Sequence, residues 1–204
     1  MTATATPSLQ TPRERRRART RRHILDAARD LVGASGPTGL SLREVARRSD
    51  YSPAALYEYF ESKQELMAAL LSEGFTELTE VMDGTAPDSP PEQRLVAVAT
   101  AYIQFAIAHP ELIELIFVRS ESTASSLERV LGERNHYTIL RELTAAILGD
   151  ELDPVVVDAR TYALWAQVHG LALLRITFLK NFDADLDSAD ADAIERSVRA
   201  LTAP

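Results

Sequence analysis

The sequence predicts an all-α protein of about nine helices, on three observations. Apolar residues recur three and four positions apart along most of the chain. Ser, Asp and Pro stand repeatedly where helices would start, several with Glu three residues on. No stretch shows the apolar–polar alternation of a half-buried strand, and there is no internal repeat.

In chain order, Thr, Ala, Ser and Pro dominate residues 1–12, and the arginine run "RERRRARTRR" follows, Arg13 to Arg22. Residues 1–20 read as a disordered basic arm. Ile24, Leu25, Ala28, Leu31 and Val32 then form one apolar helical face, closed by Gly33, Gly36, Pro37 and Gly39. Ser41 with Glu44 reads as a capping box, and Leu40 with Val45 as a hydrophobic staple, for a short helix to about Arg48. Ser49, Asp50 and Tyr51 leave room only for a turn. Ser52 caps the next helix, with Pro53 at its favoured first position, and it ends near Phe60. Ser62 with Glu65 opens a long helix to about Met82.

Asp83 to Pro91 is a Gly/Pro/Asp loop. Helices follow over about Glu92–Ala108, Glu111–Val118, Leu127–Leu148, Pro154–Lys180 and Ser188–Thr202. The domains so predicted are the arm (1–20), a three-helix head (21–66) and a larger helical body (67–204).

Composition narrows the function. With no cysteine among 204 residues, disulfides and thiolate metal sites are excluded. The four histidines are never three to five residues apart. The acidic run "DADLDSADADAIE" lacks the Gly and Glu that a calcium loop needs at positions six and twelve, and reads as a solvated linker. No metal or cofactor is expected. No apolar run approaches a membrane span, and a cytoplasmic protein is expected. No nucleophile elbow or P-loop points to an enzyme.

Charge is asymmetric. The net charge is −8, but residues 1–63 carry 12 Lys+Arg against 7 Asp+Glu, and the remainder 10 against 23. A basic head and an acidic body suit a protein that meets a polyanion at one end, although basic termini are also often plain solvated tails. Three short helices with a tight turn before the third describe a helix-turn-helix, whose last helix enters the major groove. In "SPAALYEYF", Leu56 and Phe60 share the inward face. Ser52, Ala54, Ala55, Tyr57 and Tyr59 are left outward to varying degrees. Tyrosine hydroxyls there suit phosphates.

Residues 21–67 resemble the DNA-binding domain of the tetracycline-repressor (TetR) family, through "ILDAARDLV" and "LSLREVARRSDYSPAALYEYFESKQELM". The family's turn usually has Gly where this chain has Asp50, a position that often takes positive φ, which Asp tolerates better than most residues. The resemblance implies a phosphate contact for Ser41 and backbone contacts for Tyr57, Tyr59 and Lys63. It places Ser52, Ala54 and Ala55 near base edges, where alanine offers only apolar contact to a thymine methyl. Arg43, Arg47 and Arg48 would add positive charge. The arginine run is either a solvated tail or an arm laid into the minor groove.

The resemblance further implies that the body binds a small molecule and forms a homodimer through the last two helices. "WAQVHG", Trp165 to Gly170, resembles the Trp-x-x-x-His-Gly signature of one TetR subgroup. Trp165 and His169 are thus expected at a ligand pocket or as packed core residues. Tyr102, Phe105, Phe117, Tyr137, Leu140 and Phe178 are further lining candidates. Arg119, Arg134 and Arg175 are candidate counter-charges for an anionic ligand, although most such arginines are exposed. The expected function is a ligand-released repressor on a double-stranded operator. The alternatives are an activator or corepressor-dependent regulator, or an all-α carrier or enzyme with an incidental basic tail.

Overall fold

The computed structural model describes residues 11–118, 134–149 and 152–202, with side chains omitted at 116–118. Nine helices form among the described residues: α1 Pro12–Gly39, α2 Leu42–Arg48, α3 Pro53–Tyr57, α4 Lys63–Gly84, α5 Pro91–Ala108, α6 Pro110–Val118, α7 His136–Leu148, α8 Pro154–Ile176 and α9 Leu186–Ala200. The described residues hold no strand. The chain divides into two compact units, residues 1–70 and 71–204, with α4 running from one into the other.

In the first unit, α1 starts well before its apolar face. Thr11 and Glu14 form a complete capping box, and Pro12 occupies the first turn. Residues 12–20 are therefore helical, which corrects the expected disordered arm; residues 1–10 lie outside the described part. Arginine is itself a good helix former, so a capped Arg run continues readily into the buried face of α1. At the other end, the helix breaks at Gly36 (φ 69°, ψ 171°), a conformation open to glycine, and one further turn leads to Leu40. Ile24, Leu25, Ala28, Leu31, Leu40, Val45, Leu56, Phe60 and Leu66 are buried. Burying each large side chain contributes about 1.5–3 kcal/mol, which lets so small a head hold its shape.

The second unit is built around α5, which packs on α6, α7, α8 and α9. Its core joins Leu78 and Met82 of α4, Leu95, Val98, Tyr102 and Ile103 of α5, Leu112 and Ile113 of α6, Ile139, Leu140 and Leu143 of α7, Leu164 and Val168 of α8, and Ile194 and Val198 of α9. Two helix boundaries differ from expectation. Asn135 is extended (φ −148°, ψ 172°) and caps α7 through Tyr137 and Thr138, so the expected helix from Leu127 is interrupted there. Residues 127–133 of that expected helix lie outside the described residues. α8 stops at Ile176, with Thr177 at φ −117° and ψ −89°, four residues short of Lys180.

The acidic linker is put to structural use. Asp185 caps α9 through Ser188, while Asp187 and Asp190 pair with Arg175 at 2.7 and 2.6 Å.

Candidate nucleic-acid interface and interior polar cluster

The turn between α2 and α3 is held from inside. The buried Ser49 hydroxyl donates to the Val45 carbonyl at 2.8 Å, and the Tyr51 amide donates to Ala46 at 3.0 Å. Between them Asp50 takes φ 58°, the left-handed conformation that the sequence anticipated at this position. Tyr51 also reaches back to α1, its hydroxyl 3.4 Å from that of Thr20. The turn is thereby tied to two helices, and α3 leaves it in a fixed direction.

α3 has only five residues, too few to persist alone. The Ser52 hydroxyl accepts from the Ala55 amide at 3.1 Å, Pro53 fills the first turn, and Leu56 and Phe60 anchor the inner face. Ser52 and Ala54 are exposed and Ala55 is half-buried, all on one short surface. Tyr57 is 54 % exposed. Tyr59 is half-buried, because the Arg17 guanidinium lies 5.2 Å above its ring while donating to the Glu58 carbonyl at 2.9 Å. Arg21 sits 5.0 Å over Phe60. No local motif marks these two contacts, which join residues some 40 positions apart.

Ser41 is exposed and caps α2, accepting from the Glu44 amide at 3.2 Å. The expected reciprocal half of that box gives way to an ion pair. Glu44 turns to Arg47 at 2.9 Å, and this hydrogen bond holds its carboxyl below the usual range. Arg47 and Arg48 are both drawn toward Glu44, whereas Arg43 is exposed on the next face. Lys63 is half-buried in the first turn of α4, whose start is capped by Ser62 through the Glu65 amide at 3.1 Å. Glu65 reaches back to the Glu61 amide at 2.6 Å rather than to Ser62.

The expected pocket residues divide into those the fold brings together and those it separates. Tyr102 is buried, its hydroxyl 2.8 Å from Nδ1 of His169. Trp165 stacks on His169 at 5.6 Å, and Tyr137 meets Trp165 edge-on at 6.2 Å. Leu140 is buried in the same core as Tyr102. Phe105 is also buried, its ring 4.7 Å from His109. Burial pushes the Tyr102 hydroxyl up and the His169 imidazole down, so both favour their neutral forms.

His136, absent from the expected set, belongs beside these residues. It is buried at the start of α7 and stacks on Phe75 with rings 5.4 Å apart and nearly parallel. Burial, and secondarily His169, push its pKa down to about 4. Its Nδ1 and the Thr144 hydroxyl are buried without a hydrogen-bond partner among the described residues. Only its lack of any local motif hid it: a lone histidine reads equally well as surface or core.

Three of the candidates stand away from this group. Phe178 is 86 % exposed, because α8 has ended two residues earlier, so it lines no interior pocket. Arg134 is a surface residue bridging Asp83 and Glu142, with its pKa raised chiefly by the Asp83 hydrogen bond, and is no buried counter-charge. Arg175 is mostly buried and lines a surface pocket of about 320 Å³ with Ile107, Leu179, Phe182 and Leu186, but Asp187 and Asp190 already offset its charge. The Phe117 side chain and all of Arg119 lie outside the described residues.

α8 also carries an exposed apolar stripe. Val155, Tyr162 and Leu174 project from it, with exposed Ala159, Ala163 and Ala166 between them. A Cβ added at Gly170 would meet nothing within 4 Å, so that part of the face is open.

A capped helix-turn-helix head with a separate helical core defines a DNA-binding regulator of the helix-turn-helix class. Comparison with known proteins agrees. Residues 24–70 match the model for bacterial regulatory proteins of the tetR family, and residues 95–201, over half of the chain, match the tetracyclin repressor-like C-terminal domain. The chain belongs to the TetR family of transcriptional regulators.

Among curated relatives, it is similar to the HTH-type transcriptional regulator YobS of Bacillus subtilis, with 27 % identity over 49 % of this chain and 52 % of that one. It is also similar to the HTH-type transcriptional repressor Rv3405c of Mycobacterium tuberculosis, with 36 % identity over 31 % of this chain and 34 % of that one. The chain thus spans about half, or less, of the length of these relatives. Among solved structures, a Rhodococcus protein of unknown function superposes with TM-score 0.75 at 25 % identity, covering 97 % of this chain and 98 % of that one. The transcriptional regulator FadR of Bacillus subtilis, in complex with stearoyl-CoA, shares the fold at TM-score 0.68 and 13 % identity, over 89 % of this chain and 97 % of that one.

Proposed function

We propose that this regulator is a homodimeric repressor that binds a pseudo-palindromic operator and is released by a small molecule held in the second unit. The observation that carries the DNA reading is the outer surface of α3. It is a helix built almost wholly from caps and anchors, with Ser52, Ala54 and Tyr57 left facing solvent and Ala55 half-buried among them. Two such helices, about 34–36 Å apart in a two-fold dimer, would enter successive major grooves. Tyr57, Tyr59, Lys63 and Ser41 hold phosphates, with Arg43 adding charge. Ser52, Ala54 and Ala55 meet base edges and leave direct readout sparse.

The stripe on α8 supports the dimer. Large apolar side chains separated by alanines and an open glycine suit close approach of a second copy's helices, which removes that surface from water. Leu174→Arg or Tyr162→Arg is expected to give a solution mass of one chain and to abolish tight operator binding. Undiminished dimer mass in both variants would refute this interface.

The Tyr102–His169–Trp165–Tyr137 group, with His136 beside it, supports a ligand with both apolar and hydrogen-bonding parts. That FadR binds stearoyl-CoA makes an amphipathic ligand a reasonable first candidate. Release requires tighter ligand binding to a state in which α4 has shifted and the heads no longer match the operator. Fluorescence anisotropy on the chain's own upstream duplex, with and without candidate ligands, tests the whole scheme. Salt-sensitive binding reversed by one ligand class is expected. Salt-insensitive or absent binding favours a carrier, and binding that requires the ligand makes it a corepressor. The reading places the protein in the cytoplasm, as a regulator rather than an enzyme.

A further inference from the structure

The N-terminal arginines are more ordered than a charge tail needs. From Pro12 to Arg22 they form an exposed helix with no buried residue of its own, since the inward face of α1 begins at Ile24. A capped stretch that short does not persist in water unaided. Besides Tyr51, whose hydroxyl meets Thr20, what fastens it is the turn after α3. Arg17 donates to the Glu58 carbonyl at 2.9 Å and covers Tyr59, and Arg21, one helical turn on, covers Phe60. Two arginines are used as bolts, and they fix the extension to the end of the recognition helix.

The others are left outward. Arg13, Arg15, Arg16, Arg19 and Arg22 are exposed, and none is ion-paired among the described residues. Glu14, the one acid in the segment, is committed to the Thr11 cap. Arg15, Arg19 and Arg22 fall at i, i+4 and i+7, so they share one face, turned away from the bolts. We infer that Pro12–Arg22 is a rigid phosphate-binding rail, which grips the duplex backbone beside the half-site read by α3, with Arg17 and Arg21 as its positioning residues. The inference rests on the DNA reading above.

Three arguments set the occupant. The extension is about 16 Å long at 1.5 Å per residue, long enough to reach more than one phosphate of a strand whose charges recur about every 3.4 Å of helix axis. It is bolted to the α3 turn, so a duplex engaged by α3 lies beside it. And a helix about 10 Å across does not itself enter a minor groove about 6 Å wide, so the segment lies along the backbone, where its outward arginines reach phosphates first.

The test compares the wild-type chain with Arg15→Gln/Arg19→Gln/Arg22→Gln, each at several salt concentrations, on the upstream duplex and on the same duplex trimmed to the half-site borders. Glutamine keeps helix propensity, and circular dichroism checks the fold. The expected result is a slope of log affinity against log salt shallower by about 0.9 per lost contact, together with weaker binding, on the long duplex only. Arg17→Ala is expected to raise amide exchange across residues 12–20 and to weaken the long duplex more than the trimmed one. If wild type binds the operator and the triple variant keeps its slope and flank dependence, the rail is wrong and the DNA reading stands. If wild type shows no salt-sensitive binding on either duplex, the DNA reading itself fails and takes the rail with it.

Discussion

His136 makes the stability of the second unit depend on pH in a calculable way. Its imidazole is buried against Phe75, and its pKa lies at about 4. In the unfolded chain it titrates near 6.5. Because the folded value is the lower, the unfolded state binds the extra proton between the two. Stability is therefore full above about pH 6.5, declines as pH falls toward 4, and levels once the native ring is itself protonated. At 1.36 kcal/mol per pH unit, that interval is worth about 3 kcal/mol, a large part of a typical domain's stability. His169 adds in the same direction, its pKa lowered by burial. His136→Leu removes the first contribution while keeping a large apolar side chain against Phe75. Urea unfolding at a series of pH values from 7.5 to about 4.5 is the assay. The wild-type curve is expected to fall more steeply than the variant's, and the difference isolates His136 from carboxylates such as Asp83 that titrate lower. Parallel curves would refute the buried, neutral histidine.

Other outcomes follow from single positions. Asp50→Gly is expected to stabilise the head by about 0.5–1 kcal/mol, because φ 58° costs a glycine nothing, and Asp50→Val to destabilise it by about 1–3 kcal/mol; thermal unfolding reads both. Tyr57→Phe and Lys63→Ala should weaken operator and unrelated duplexes by similar factors, with Lys63→Ala also lowering the salt slope by about 1 per protomer. Losses confined to one sequence would contradict phosphate roles. Asp190→Asn should destabilise far more than Asp187→Asn. Asp190 is buried with Arg175, where breaking a pair costs about 3–5 kcal/mol, whereas Asp187 is exposed and worth about 1 kcal/mol or less. Equal effects in denaturant titrations would show that burial does not set the difference.

Much of this fold was legible because its helices announce their starts. Ser41, Ser52, Ser62 and Pro53 stand where the caps form, and the spacing of Leu56 and Phe60 placed both in the core. The positive φ at Asp50 could be anticipated because a tight turn admits few conformations. What the sequence concealed were contacts between distant positions. Nothing local to Arg17 marks Glu58 as its partner, so an ordered helix read as a loose arm. Glu44 had two chemically equivalent uses, and Arg47 won over the cap. In the second unit, aromatic residues at helical spacing are equally consistent with core and pocket. Tyr102, Trp165 and His169 did converge, whereas Phe178 fell just past the end of its helix and faces solvent.

The proposed regulator places two copies of α3 on one duplex. Hydroxyl-radical footprinting of the upstream DNA tests it most directly. Two protected patches are expected, their centres about one helical turn apart, both lost when Tyr162→Arg separates the chains. A single patch, or protection that survives in a chain shown to be monomeric, would contradict it.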